Sequence, residues 1–238
     1  MAKRATSEKV PSHIALIPDG NRRWARSHKF NLFNGYNLGV KKFVRFSIWA
    51  KGLGVKMLTV WALSSENLRN RSKEELSVLF RIYVKAARDP SILRMLKDNQ
   101  TRVNIIGNLR SLPIEVRKAL LELHKKTKDY KDFTINLLIG YGGKDDIVHA
   151  ARRILNKYRN RNIDISAEEI ERSLITNEVP DVDLVIRTSG EMRTSGLMPW
   201  QIAYSELYFS KKYWPDFEKA DLVEAVQDYS SRERRFGK

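Results

Sequence analysis

The sequence predicts an α/β fold, a single domain with a mostly parallel six-stranded sheet flanked by helices, from three observations. Short apolar runs alternate with segments of helical spacing along the whole chain. Several of the runs are almost continuously apolar, as strands covered on both faces must be. No Pro/Gly/Ser linker, repeat or low-complexity tract divides the 238 residues.

The strand candidates are His13–Ile17, Met57–Leu63, Arg102–Gly107, Thr134–Tyr141, Asp183–Arg187 and Glu206–Ser210. Between them, Leu38–Leu53 carries apolar residues at helical spacing. Glu74–Ala87 does the same and is entered through the helix-start signature Ser72-Lys73-Glu74-Glu75. Pro113 opens PIEVRKALLELHKKT, since proline is tolerated in a first helical turn. Asp145–Tyr158 follows, then Ser166–Leu174, led by Ser166-Ala167-Glu168-Glu169. Residues 1–12 are a polar segment expected to be flexible, and 13–238 form the domain.

Composition narrows the chemistry. With no cysteine, disulfides, thiolate metal sites and cysteine nucleophiles are excluded. Forty-four Lys+Arg against 28 Asp+Glu leave a net charge of +16, which favours polyanionic partners such as phosphorylated small molecules, anionic lipid or nucleic acid. The charge is spread along the chain, and no zinc-finger or RNP pattern accompanies it, so nucleic acid is the least supported of these. No apolar run is long enough to span a bilayer, and the polar start MAKRATSEKVPS lacks the apolar core of a signal peptide. The expectation is a cytoplasmic protein, with peripheral membrane contact left open.

Ligands of such sheets gather at the carboxyl ends of the strands. The first strand here runs into Pro18-Asp19-Gly20-Asn21-Arg22-Arg23, the second into Ser64-Ser65-Glu66-Asn67 and the fourth into Tyr141-Gly142-Gly143-Lys144-Asp145. The fifth runs into Arg187-Thr188-Ser189-Gly190-Glu191-Met192-Arg193. One edge thus collects arginines, hydroxyls, glycines and a few acids, a composition suited to a polyphosphate.

Each piece has two readings. Asp19-Gly20-Asn21 suits a plain turn. Followed by Arg22 and Arg23 at a helix start, it also suits a phosphate held beside Mg²⁺ by one carboxylate. RTSGEMR is either an exposed basic loop or two arginines forking onto a phosphate. Glu206, within AYSELYF, is either half of a strand-edge salt bridge or a metal ligand. GYGGKDD lacks both nucleotide-loop spacings, so its glycines point to tight strand-to-helix packing. The four histidines show no metal-ligand spacing. Phe43, Phe46, Trp49, Leu79, Phe80, Ile82, Tyr83, Ile105, Ile135 and Leu137 suit a core, and some of them suit an apolar tunnel between sheet and helices.

Taken in order, IPDGNRRWA, SSEN, NLLIGYGGKDDI, DLVIRTSGEMR, WQIAYSELYF, WPDF and RERRFG resemble the cis-prenyltransferases, the family of undecaprenyl and dehydrodolichyl diphosphate synthases. The blocks span Ile14 to Gly237, and Arg22-Arg23 is similar to archaeal and eukaryotic members. The resemblance implies a homodimer that condenses isopentenyl diphosphate with an allylic prenyl diphosphate. The product would be a Z-polyprenyl diphosphate for glycosyl-carrier lipid synthesis, and the cofactor Mg²⁺.

It implies Asp19, Asn21 and Ser64 as catalytic residues, and Asp19 with Glu206 as metal ligands. Gly20, Asn21, Arg22 and Arg23 would form the allylic diphosphate pocket, Trp24, Glu66, Asn67 and Arg71 would also contact substrate, and Arg187, Arg193 and Ser195 would bind isopentenyl diphosphate. Arg235 and Gly237, in an R-x-G tail, would serve the neighbouring subunit's site, and Ile135 would lie near the tunnel floor. The sequence departs from the family at Leu32, where arginine is usual, at Tyr36 for histidine, Leu68 for tryptophan and Ser72 for proline. Gly196 and Pro199 stand where larger apolar residues are usual. These departures bear on substrate choice and product length. Non-head-to-tail or short-chain transfer, one subunit of a heteromeric enzyme, or a non-catalytic partner subunit are the alternatives.

Overall fold

Residues 10–159 and 164–232 of the chain are described here from a computed structural model. The elements run β1 (His13–Ile17), α1 (Asn21–Ser27), α2 (Leu32–Gly52), β2 (Met57–Ser64), α3 (Ser65–Asn70), α4 (Lys73–Arg88), α5 (Pro90–Asp98), β3 (Thr101–Ile106) and α6 (Ile114–Thr127). Then come β4 (Phe133–Tyr141), α7 (Gly143–Lys157), α8 (Ala167–Ser173), β5 (Leu184–Arg187), β6 (Glu206–Phe209) and α9 (Lys219–Ser231). The strands form one sheet in the order β3-β4-β2-β1-β5-β6. Every pairing in it is parallel.

All six expected strands are present, within a residue or so of the expected ends. The helices are more numerous than the sequence suggested. α3 has only six residues, α5 carries proline at its start, and the start of α2 is diluted by Gly35 and Gly39. Weak apolar periodicity hides such elements.

Side-chain alternation splits the sheet into two faces. Ile14 and Leu16 of β1, Leu58 and Val60 of β2, and Ile135 of β4 share one core with Phe46 and Ala50 of α2, Leu96 of α5, Leu123 of α6 and Trp214. Ala15, Ile17, Leu138 and Tyr141 face the other way, against Val179, Val182, Leu197 and Met198. α7 is tied to that second side by Tyr141 Oη, which donates to the buried Asp146 carboxylate at 3.0 Å.

A polar row crosses the second face at one level. Asn104 donates to Asn136 Oδ1 at 2.9 Å, and Asn136 donates to Thr59 Oγ1 at 3.0 Å. Thr59 in turn lies 2.8 Å from His13 Nε2. His13 Nδ1 sits 3.1 Å from both the Pro180 and Asp181 carbonyls, so it carries a proton and donates to them. Burial holds the His13 pKa below its ordinary value, against the pull of those carbonyls and of Asp183.

Candidate active site

The chain leaves β1 toward β2 on one side and leaves β5 toward β6 on the other. At such a switch point the two outgoing loops diverge and open a crevice at the carboxyl edge. Asp19 follows β1 and Arg187 ends β5, and the two meet there, Arg187 Nη2 donating to Asp19 Oδ2 at 3.0 Å. Gly20 takes φ 101°, which glycine accepts without strain, and its N–H donates to Asp19 Oδ1 at 2.7 Å. A Cβ there would also lie 2.7 Å from the Tyr213 ring.

Burial alone would raise the Asp19 carboxyl. The hydrogen bonds from Arg187 and Gly20 and the charges of Arg187 and Arg23 outweigh it and hold the group below its ordinary value. Asp19 is therefore ionised throughout the neutral range.

Arg187 is buried, and its Nη1 donates to the Arg193 carbonyl at 2.5 Å and to Ser195 Oγ at 2.8 Å. Arg23 donates to Ser189 Oγ at 2.6 Å and pairs with Glu191 at 2.9 Å. Glu191 also takes Arg193 at 2.6 Å. Both serines occupy the left-handed region, Ser189 at φ 76° and Ser195 at φ 54°, where residues with a Cβ are strained. That strain sets their hydroxyls under the two guanidinium groups.

A second cluster closes the opposite wall. Glu75 is buried on the first turn of α4. It accepts from Tyr36 Oη at 2.6 Å and pairs with Arg71 at 3.1 Å and Arg22 at 3.4 Å. Arg71 Nη1 also donates to Tyr36 Oη at 3.0 Å. Burial above all, with Glu75 adding to it against the Arg71 charge, pushes the Tyr36 phenol far up, so it remains a donor. Glu75 escaped the sequence reading because it sits third after Ser72, where an acid looks like a capping residue. Ser72 does cap the Glu75 N–H, but the carboxylate turns to the arginines. The usable signal was its place four residues before Leu79 and seven before Ile82, an acid on the apolar face of the helix.

The two clusters share one cavity of about 1050 Å³. Asp19, Gly20, Asn21, Arg22, Arg23, Ser64, Glu66, Asn67, Arg71, Arg187, Arg193 and Ser195 all line it. Ser64 Oγ accepts the Asn67 N–H at 3.0 Å, capping α3. Asn21 passes so close to α2 that a Cβ on Gly39 would lie 2.3 Å from its side-chain oxygen. From this polar mouth the cavity runs between sheet and helices past Val60, Phe43, Tyr83 and Ile135 to Ile92, Met95, Leu120 and Leu123. Of the apolar residues open to two readings, Phe43, Leu79, Ile82, Tyr83, Ile135 and Leu137 line it. Phe46 lies in the packed core and Phe80 outside the cavity, on α4. The GYGGKDD glycines pack closely, though Gly143 does so against a loop and not between strand and helix: its N–H donates to the Gly196 carbonyl at 3.0 Å, and a Cβ on it would overlap Pro199.

Two expected site residues fall elsewhere. Trp24 does not line the cavity; it is buried, stacks on His28 and Phe30, and donates to Asp216 Oδ1 at 2.6 Å. One residue past Arg23, it is turned about 100° around the helix from that guanidinium group and packs toward Asp216. Glu206 is not brought to Asp19. It starts β6 and pairs with Leu184, at the edge opposite the mouth, and its carboxylate binds Arg232 at 2.6 Å. Of its two readings, the strand-edge ion pair is what this chain displays. Arg235 and Gly237 lie outside the described residues.

Among the described residues no group of three or more His, Asp or Glu is arranged to hold a metal ion. Asp19 offers a hard carboxylate at the mouth, while the nearby Glu191 is engaged by Arg23 and Arg193. Mg²⁺ is usually bound by one or two carboxylates plus substrate phosphates. The donor chemistry therefore fits an ion that arrives with a diphosphate.

Residues 17–237 match the family model described as "Putative undecaprenyl diphosphate synthase". The chain is 39% identical over 231 residues to the "Tritrans,polycis-undecaprenyl-diphosphate synthase (geranylgeranyl-diphosphate specific)" of Sulfurisphaera tokodaii, covering 95% of this chain and 88% of that one. It is 40% identical over 230 residues to the isoprenyl transferase of Thermotoga maritima, covering 96% and 97%. Among solved structures, lavandulyl diphosphate synthase from Lavandula x intermedia, in complex with dimethylallyl diphosphate, superposes with a TM-score of 0.90 at 36% identity, covering 96% and 99%. With a parallel sheet, a guanidinium-lined mouth and a deep apolar cavity, this chain is a prenyl-transferring enzyme that belongs to the undecaprenyl diphosphate synthase family.

Proposed function

We propose that the enzyme elongates an allylic prenyl diphosphate with isopentenyl diphosphate, forming Z double bonds, and supplies a carrier lipid for glycosyl transfer. The observation that carries elongation is the cavity. At about 1050 Å³ it lies at the upper end of small-molecule pockets. Its far half is walled by aliphatic side chains well beyond the reach of a five-carbon unit at the mouth. A growing isoprenoid gains by burial at each step along it.

In this reading the allylic C–O bond breaks and diphosphate leaves with the electron pair. The isopentenyl double bond attacks the allylic carbon, and the new adduct loses one proton to restore a double bond. Arg22 and Arg71 hold the allylic diphosphate from the Glu75 wall, with Gly20, Asn21 and Arg23, the last linked to Arg193 through Glu191. Arg187, Arg193 and Ser195 hold isopentenyl diphosphate on the other. Fixed guanidinium groups stabilise the charge of the departing diphosphate without reorganising. Ser64 and Asn21, the neutral polar groups between the walls, position the diphosphates and assist loss of the proton. The apolar cavity excludes water from the allylic cation. Asp19 would hold Mg²⁺, which neutralises diphosphate charge when bound. A homodimer, with Arg235 and Gly237 serving the partner's site, completes the proposal. A size measurement that found only monomer in an active preparation would remove that part.

The test is incubation of the pure protein with isopentenyl diphosphate, Mg²⁺ and allylic primers of ten, fifteen or twenty carbons. A ladder of Z products is expected. A single branched product from two allylic diphosphates would establish the second reading, which the likeness to the lavandulyl synthase supports. Activity only after a second chain is added would establish a heteromeric enzyme.

A further inference from the structure

We infer that the outer face of α4 and α6 docks the enzyme on an anionic lipid bilayer. An open apolar groove of about 660 Å³ runs between the two helices, walled by Leu76, Phe80, Val84 and Val116. Lys73, Arg81 and Lys85 rim it, against a single acid, Glu115. Beside the groove, α6 presents Ile114, Lys118, Leu121 and Lys125 to solvent at helical spacing, a stripe in which exposed apolar and cationic residues alternate. Ile114 is 48% exposed and Leu121 47%.

Charge selects the occupant. Residues 73–127 hold twelve Lys and Arg against six Asp and Glu. Of those acids, Glu75 is buried against Arg71, and Glu122 lies 3.7 Å from Arg88. A surface that mixes exposed Ile and Leu with lysine suits a bilayer boundary. There the apolar residues enter the acyl edge, and the lysine stems lie along it with their ammonium groups among anionic headgroups. A nucleic acid would use the charge and leave the apolar groove unfilled.

Position adds a second argument, and this one rests on the elongation reading. The inner faces of the same helices line the tunnel, through Leu79 and Ile82 of α4 and Leu120 and Leu123 of α6. An isoprenoid formed there lies one helix layer from the docking face, so docking shortens its way into lipid.

The experiment is flotation of the full-length protein with phosphatidylcholine vesicles, with and without phosphatidylglycerol. Wild type should float with the anionic vesicles only, and added salt should release it. Arg81→Glu with Lys85→Glu should weaken binding by at least roughly thirtyfold, the loss of two cations at about 1 kcal/mol each near an anionic surface and tenfold per 1.4 kcal/mol. Lys211→Glu with Lys219→Glu, exposed and remote from the groove, should bind as wild type. Equal loss in both variants would mean diffuse charge and overturn the assignment, as would failure of wild type to float. A changed oligomeric state in the α4 variant with unchanged flotation would give the groove to a second copy. Elongation in detergent solution, read separately, should be the same in both variants. Failure of elongation in wild type would remove the enzymatic reading and leave the flotation result standing.

Discussion

Glu75 offers the sharpest test of how the site is held together. Glu75→Gln keeps an acceptor for Tyr36 and removes the charge facing Arg71 and Arg22. Hydrogen bonds to charged groups contribute about 1.5–3 kcal/mol each when buried. Arg71 is 23% exposed and sits at 3.1 Å, so it falls within that range. Arg22 is 58% exposed at 3.4 Å, and solvent screening reduces its share to a few tenths of a kcal/mol. The expected loss is therefore about 2 kcal/mol. Glu75→Leu, which also leaves the Tyr36 O–H without its acceptor and Arg71 uncompensated, should cost about 3–5 kcal/mol.

Against a total stability of about 5–15 kcal/mol, both losses are measurable as a lower urea midpoint at constant slope. Arg71, no longer anchored, should also bind the allylic diphosphate less well, raising its KM about tenfold, since 1.4 kcal/mol is a factor of ten. The KM for isopentenyl diphosphate should stay unchanged. Equal midpoints for the Leu and Gln variants, or equal changes in both KM values, would refute the view of Glu75 as the anchor of one wall.

Other perturbations follow from the same geometry. Asp19→Asn leaves the buried Arg187 a neutral partner and should lower kcat at least a hundredfold, with an unchanged circular dichroism spectrum and a melting temperature lower by roughly 4–8 °C, for a loss of about 2 kcal/mol. Gly39→Ala puts a methyl group against the Asn21 amide, where a Cβ would sit at 2.3 Å, so turnover should fall by at least tenfold. Ala87→Leu narrows the tunnel past its midpoint, and chromatography of the products should show shorter chains at an unchanged first-addition rate. For His13, the folded pKa lies below the unfolded value of 6.5, so between the two the unfolded chain binds more protons. Stability should be full above pH 6.5 and decline as pH falls below it, by at most about 1.4 kcal/mol per pH unit from this group. His13→Gln should flatten that part of the urea-midpoint profile.

The sheet was legible because each buried parallel strand advertises itself as an apolar run, and the Pro-Asp-Gly-Asn and Arg-Thr-Ser-Gly breaks marked the edge where ligands bind. The convergence of Asp19 on Arg187 was not legible, because it depends on β5 lying beside β1 across 168 residues of separation. Glu206 shows the same limit in reverse. Its acid looked anomalous until α9 delivered Arg232 to it. α9 itself packs Leu222, Ala225, Val226 and Tyr229 inward at regular spacing, yet Asp221, Glu224 and Asp228 break up the pattern. Trp24 stands apart from the cavity because neighbours along a motif read as neighbours in space, and a helix turns each side chain about 100° from the one before it.

The polar row Asn104–Asn136–Thr59–His13 has a consequence for how the tunnel is kept apolar. Parallel strands that are apolar on both faces tolerate sliding, because one aliphatic residue replaces another. Here a slip of one position in β4 would swing Asn136 onto the tunnel wall and leave Asn104 and Thr59 without their partner, at the cost of stranded amide and hydroxyl groups. The row thus acts as a key that only one strand alignment fits. An interior meant for hydrocarbon is guarded by amides on the far side of the same strands.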